Sequence, residues 1–270
     1  MIKFDKDTIN AVIFDVDGTL YQKDNKSTDG CGSIQDAHDF FRYSAFQRLS
    51  LGIPVEDVSR FLIDDYRERS KDHTLTEAIE SIPLKIRLEF DELVKKYKSN
   101  GNVFRIEFGT SSTYLHNMLE KIRFDLILKR DEELIKTIEY LKQKEYNLGI
   151  LTTETPRTVR TVLDTLGLNY KDFLMDTGDE YGILCSENVK NKKPSQEGFE
   201  RLIEIYHPTD PRRIVYVGDD LDKDVKAAMS CGLQAIHISN PEKESDTRKI
   251  NDEELEYKII KRIYDLRTIL

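Results

Sequence analysis

The run Ala11-Val12-Ile13-Phe14-Asp15-Val16-Asp17-Gly18-Thr19-Leu20 sets four uninterrupted apolar residues directly ahead of two carboxylates and a glycine. An apolar stretch with no polar alternation is the mark of a strand buried on both faces, and such strands belong to parallel α/β sheets. Gly18 supplies a tight backbone turn after the strand. In open parallel sheets, ligands bind just beyond the carboxyl ends of the strands, which is where Asp15 and Asp17 fall. Two carboxylates at that place, beside the Thr19 hydroxyl, have the chemistry of a nucleophile, an acid/base or a metal ligand. At average residue usage the D-x-D-G-T pattern arises by chance in on the order of one chain in a few hundred. Its position after a buried strand makes a merely solvated loop corner the weaker account.

The rest of the chain has two textures. From residue 23 to about 126 the pattern is charged and helical. Phe40, Phe41, Ala45, Phe46 and Leu49 fall at helical spacing within residues 35–51, and Pro54 precedes a second amphipathic run with Val58, Phe61, Leu62 and Tyr66. Helical patterning continues over residues 75–98 and 114–123, with a loop expected at Ser99-Asn100-Gly101-Asn102. Strand and helix then alternate. A helix is expected over 131–146 and a strand over 148–151. Thr155-Pro156 supplies an N-cap and a first-turn proline for a helix that stops at Gly167. Ser195 is expected to cap a helix through 205. A strand at 214–217, a helix over 222–230 and a strand at 234–238 follow, and residues 257–270 add a short strand and a helix. This alternation implies a parallel sheet. The expected architecture is a Rossmann-like α/β core with helices on both faces, built from residues 1–22 and 127–270. A helical domain, residues 23–126, is inserted into it.

Composition narrows the function classes. A hydrophobic fraction of 39% supports a packed core and argues against disorder. A net charge of −9 speaks against nucleic acid as a main partner. No apolar run approaches membrane-spanning length, and Met1-Ile2-Lys3-Phe4-Asp5 does not read as a secretory leader. Cys31, Cys185 and Cys231 lie far apart with no C-x-x-C spacing, which fits a reduced, cytoplasmic setting better than a disulfide framework.

A second acidic cluster follows a second apolar strand. Ile214-Val215-Tyr216-Val217 leads into Gly218-Asp219-Asp220-Leu221-Asp222-Lys223-Asp224. An acidic first turn suits a helix dipole, but four aspartates in six residues exceed that need. If the fold brings Asp15 and Asp17 near Asp219 and Asp224, several like charges share one cleft. Such charges raise one another's pKa or require a cation.

The D-x-D-G-T segment resembles the first signature of the haloacid dehalogenase-like (HAD) hydrolases, and the other signatures of that family follow in order. Thr152 ends the strand at 148–151, although Thr153 stands where many members have Asn. Lys193-Pro194 precedes a helix, and Gly218-Asp219 with Asp224 matches the G-D-x-x-x-x-D form. The resemblance implies that Asp15 attacks phosphorus to give an aspartyl-phosphate, while Asp17 acts as general acid and then base. It implies that Thr152, Lys193 and the turn at Gly18 hold the phosphoryl group. It also implies Mg²⁺, an ion satisfied by a few oxygen ligands, held by Asp15, the Asp17 main-chain carbonyl and Asp219, with Asp224 acting directly or through a water or Lys193. Asp220 and Asp222 stand in the same run and are not ranked by the sequence.

The insertion matches the position of the family's cap, which selects substrate; His38, Arg42, Tyr43, Tyr114 and His116 are polar or aromatic side chains there. Asp17 discriminates within the resemblance. Dehalogenase members lack an acid at that position, phosphonatases usually carry Ala and ion-pumping ATPases Thr, whereas phosphatases and sugar-phosphate mutases carry an acid. The expected activity is therefore Mg²⁺-dependent hydrolysis of a small phosphomonoester. The alternatives are a phosphomutase of the same fold and a non-catalytic binding module that uses the cap as a docking surface.

Overall fold

Ala11–Phe14 forms β1, and all four of its residues are buried. The computed structural model describes residues 4–25, 32–174, 182–239 and 256–270. β1 pairs in parallel with β2 (Asn147–Leu151) on one side and with β4 (Ile214–Gly218) on the other. With β3 (Ile183–Leu184), β5 (Gln234–Ile238) and β6 (Lys258–Ile260), these make a six-stranded parallel sheet in the order β3-β2-β1-β4-β5-β6. Phe14 lies level with Ile150 and with Val217, so the three central strands end together. The residues that follow them therefore emerge at one edge of the sheet.

Side chains alternate across a strand, and both faces of β1 are covered. Ala11 and Ile13 pack with Leu151, Ile214 and Tyr216 against Phe199 and Leu202 of the helix Glu197–Tyr206. Phe14 meets Phe173 edge-on, with ring centroids 6.2 Å apart. The fold class expected from the sequence is the one observed.

The chain divides into two compact units: Met1–Gln22 with Arg130–Leu270, and Lys23–Lys129. The second is helical and built on rings. Phe41 packs on Tyr66 at 4.9 Å, Phe46 on Phe90 at 5.3 Å, and Phe104 on Tyr114 at 5.5 Å. Ser33 and Asp36 form a capping box at the start of the helix Ile34–Ser50. Tyr43 is part of the interior, donating to Asp91 at 3.0 Å and accepting from Arg42 at 2.8 Å.

Several element boundaries differ from the sequence pattern. The helical stretch 75–98 is two helices, Leu75–Ser81 and Leu84–Tyr97, because Pro83 holds Ile82 in an extended conformation. The loop expected at 99–102 is instead the start of the helix Asn100–Phe108, whose N-cap is Ser99. Residues 114–123 shorten to Tyr114–Leu119, followed by Phe124–Ile127. Ser195 is not the cap of its helix, which begins after Gln196. Residues 222–230 comprise a π-helical turn, Leu221–Lys226, and then Ala227–Ser230. The Thr155 cap, the first-turn Pro156 and the left-handed Gly167 end their helix as expected. Cys185 and Cys231 are free thiols, and Cys31 lies outside the described residues.

Candidate active site

Asp15 extends the sheet by one residue, its N–H donating to the Val217 carbonyl at 2.9 Å. On the other side of β1, Thr152 follows β2 and donates its N–H to Leu184 at 2.9 Å. Asp219 follows β4 directly. The sheet register thus brings the ends of three sequence motifs to one edge.

Lys193 joins them. Its side chain is 5% exposed, and its Nζ reaches Asp224 Oδ1 at 2.6 Å and Asp15 Oδ1 at 2.9 Å. The third partner is the Tyr216 hydroxyl at 2.7 Å. An ammonium has three protons, so each has an acceptor. Tyr216 in turn donates to the Leu151 carbonyl at 2.7 Å, which ties the lysine to the end of β2. Burial opposes the Lys193 charge, but Asp15 and Asp224 outweigh it and hold its pKa above the ordinary value. Burial and the neighbouring Asp15 charge push the Asp224 carboxyl up, against the pull of Lys193.

Two glycines make room for two acids. A Cβ on Gly18 would lie 2.1 Å from Asp219 Oδ2, and one on Gly218 would lie 2.4 Å from Asp224 Oδ2. Gly18 also has φ +78, a conformation that a side chain disfavours. Asp219 is fixed through its backbone as well, where His237 Nε2 donates to its carbonyl at 3.0 Å.

Asp15, Asp219 and Asp224 each present a carboxylate oxygen, all within 4.8 Å of one another. Three hard oxygen donors with one ammonium leave an excess of negative charge, and this donor set suits Mg²⁺ or a similar ion. The other two aspartates of the run face elsewhere. Asp220 accepts from the N–H groups of Asp222 and Lys223 and caps the π-helical turn; exposed Asp222 pairs with Lys226.

Asp17 stands apart from the three-acid group, its carboxylate accepting from the Tyr21 hydroxyl. Thr19 is buried, and its hydroxyl has no hydrogen-bond partner among the described residues. Thr152 and Lys193 line one depression with Thr153, Ser186, Asn191 and Lys192.

Tyr216, Tyr21 and His237 were not singled out for the site by sequence reasoning. A tyrosine or histidine inside an otherwise apolar buried strand is a legible signal, because a buried polar tip needs a partner. Tyr21 carries a weaker one, an aromatic hydroxyl four residues after an acid.

No helix among the described residues is long and apolar enough to cross a membrane. A family model for haloacid dehalogenase-like hydrolases matches residues 9–232. The chain is 24% identical over 265 residues to a glyceraldehyde 3-phosphate phosphatase of Methanothermobacter thermautotrophicus, covering 97% of this chain and 100% of that one. It is 23% identical over 232 residues to the pyrophosphatase PpaX of Bacillus pumilus, covering 86% and 84%. Its fold is similar to that of a HAD phosphatase from Thermococcus onnurineus, with a TM-score of 0.56, 23% identity and 97% of both chains covered. With an acid-tipped parallel sheet and a family match spanning most of its length, the chain belongs to the haloacid dehalogenase-like hydrolases.

Proposed function

We propose that this protein is a Mg²⁺-dependent phosphatase that hydrolyses a small soluble phosphomonoester through an aspartyl-phosphate. The observation that carries the reading is Asp15, held by Lys193 inside a group of three carboxylates at the edge of the sheet. The names of the two sequence relatives, a phosphatase and a pyrophosphatase, favour phosphoryl hydrolysis. The free thiols Cys185 and Cys231 favour a cytoplasmic setting.

In this reading Lys193 occupies Asp15 Oδ1 and leaves Oδ2 to attack phosphorus. The bond to the leaving oxygen breaks as Asp17 supplies that oxygen with a proton. Water then attacks the aspartyl-phosphate while Asp17 takes up the water proton, releasing phosphate and restoring Asp15. The Thr152 hydroxyl, the turn at Gly18 and the Lys193 charge hold the phosphoryl oxygens. Asp15, the Asp17 main-chain carbonyl, Asp219 and Asp224 would hold Mg²⁺, which supplies positive charge to the transferring group. Two steps through a carboxylate replace one difficult displacement, with positioning and electrostatics as the main contributions.

The test is phosphate release from a broad phosphomonoester panel with Mg²⁺, with EDTA, and with Asp15→Asn. Release that needs Mg²⁺ and vanishes in the variant supports the reading. Release that persists in Asp15→Asn refutes the assigned nucleophile, and no release from any compound by folded protein with Mg²⁺ present refutes the activity.

A further inference from the structure

We infer that Tyr21 is a positioning residue for Asp17: its phenol holds Asp17 Oδ1 and leaves Oδ2 as the oxygen that gives and takes the proton. This rests on the phosphatase reading above and adds to it a side chain that the reading leaves without a role.

The geometry begins with the turn. Gly18, at φ +78, folds the chain back so that Asp17 and Tyr21 form a bridge pair. Gln22 Nε2 donates to the Gly18 carbonyl at 3.2 Å and closes the same turn. The Tyr21 hydroxyl then meets Asp17 Oδ1. It is the one hydrogen-bond partner of the Asp17 side chain among the described residues. The other acids are held differently: Asp15 and Asp224 by Lys193, and Asp219 against the Gly18 backbone. Asp17 is thus the acid tied to a neutral donor rather than to a cation.

A neutral donor suits a group that must cycle between acid and base. An ammonium beside Asp17 would favour the carboxylate and oppose its role as an acid. A phenol donates to Oδ1 whether Asp17 is ionised or carries its proton on Oδ2, because Oδ1 keeps lone pairs in both states. Tyr21 is buried, and its hydroxyl is placed to donate to Asp17 Oδ1. In the first step the Oδ2 proton passes to the leaving oxygen as the P–O bond breaks, the bonding pair going to that oxygen. In the second, a water proton passes to Oδ2 as the water oxygen bonds to phosphorus and Asp15 regains its electron pair. Tyr21 keeps its own proton throughout and orients the carboxyl group.

The experiment compares wild type with Tyr21→Phe on phosphomonoesters graded by leaving group, from nitrophenyl to simple alkyl phosphates. Poor leaving groups depend most on a well-placed acid. The expected result is about a 10-fold or larger loss of kcat on alkyl phosphates, with little loss on nitrophenyl phosphate. In an Asp17→Ala background, Tyr21→Phe should cost nothing further. A second variant, with 3-fluorotyrosine at position 21, retains the donating hydroxyl and guards against a fold defect; it should keep close to wild-type rates on every ester, and a loss matching that of Tyr21→Phe overturns the inference. A loss equal for all leaving groups, or one that persists without Asp17, overturns the inference while wild-type hydrolysis leaves the phosphatase reading standing. A wild type that releases no phosphate from any of these esters overturns both.

Discussion

Replacing Gly18 by Ala separates what the fold asks of this turn from what the site asks of it. At φ +78 an L-residue costs about 1–2 kcal/mol. The added methyl would sit 2.1 Å from Asp219 Oδ2 and 2.5 Å from Asp219 Cγ. The obstacle is the end of a side chain rather than backbone, so the carboxylate can swing away with little further loss of stability. For a chain of this size, 1–2 kcal/mol lowers Tm by about 2–8 °C. The site suffers more, because Asp219 is one of the three acids that lie within 4.8 Å of one another. Misplacing a metal ligand's support weakens metal affinity by about 10- to 100-fold. Thermal unfolding with and without Mg²⁺, paired with the Mg²⁺ concentration needed for half-maximal phosphate release, reads both effects. The expected variant melts a few degrees low, needs far more Mg²⁺ and gains less stability from it. A variant with wild-type Mg²⁺ dependence refutes the reasoning that Gly18 keeps Asp219 in place for the ion.

Further consequences are open to direct measurement. Lys193→Met leaves Asp15 and Asp224 facing each other without their shared cation. It should cost about 3–5 kcal/mol in EDTA by urea unfolding, with part recovered on adding Mg²⁺; unchanged stability would contradict the balance described. Phe199 is fully buried and meets the Tyr216 ring edge-on at 5.0 Å, so Phe199→Ala should cost about 3–5 kcal/mol by the same assay.

Burial raises the Asp39 carboxyl despite Arg42 and Gln35, with Asp36 and Asp91 adding to the rise. A raised folded pKa makes its contribution complete below the ordinary carboxylate value of about 4 and lost as pH rises through the folded value. Asp39→Asn should therefore gain on wild type in Tm between mildly acidic and neutral pH. A difference independent of pH would contradict this.

What the sequence made legible follows from where physical demands coincide. Ala11–Phe14 must be buried on both faces, and a turn must follow it, so β1 and Gly18 are readable from composition alone. Thr155, Pro156 and Gly167 each satisfy a helix end in a way few other residues can. The break at Pro83 and the cap at Ser99 were harder. A proline at a helix start and one that interrupts a helix look alike locally, and Ser-Asn-Gly-Asn suits both a loop and a first turn. β3, with two residues, carries no period at all. At the site, the acids announced themselves by number and placement. Their supports are only half legible: Tyr216 and His237 interrupt apolar strands and so call for partners, but only the sheet register reveals that their polar tips reach the Leu151 carbonyl and Asp219.

In the proposed cycle Asp15 itself carries the phosphoryl group during turnover. Acid quench of the enzyme with its fastest phosphomonoester, followed by peptide mass analysis, tests it most directly. A phosphoryl adduct is expected on the peptide containing Asp15, lost on treatment with hydroxylamine and absent from Asp15→Asn. Turnover with no adduct at any quench time, and with Asp15→Asn still releasing phosphate, would contradict it.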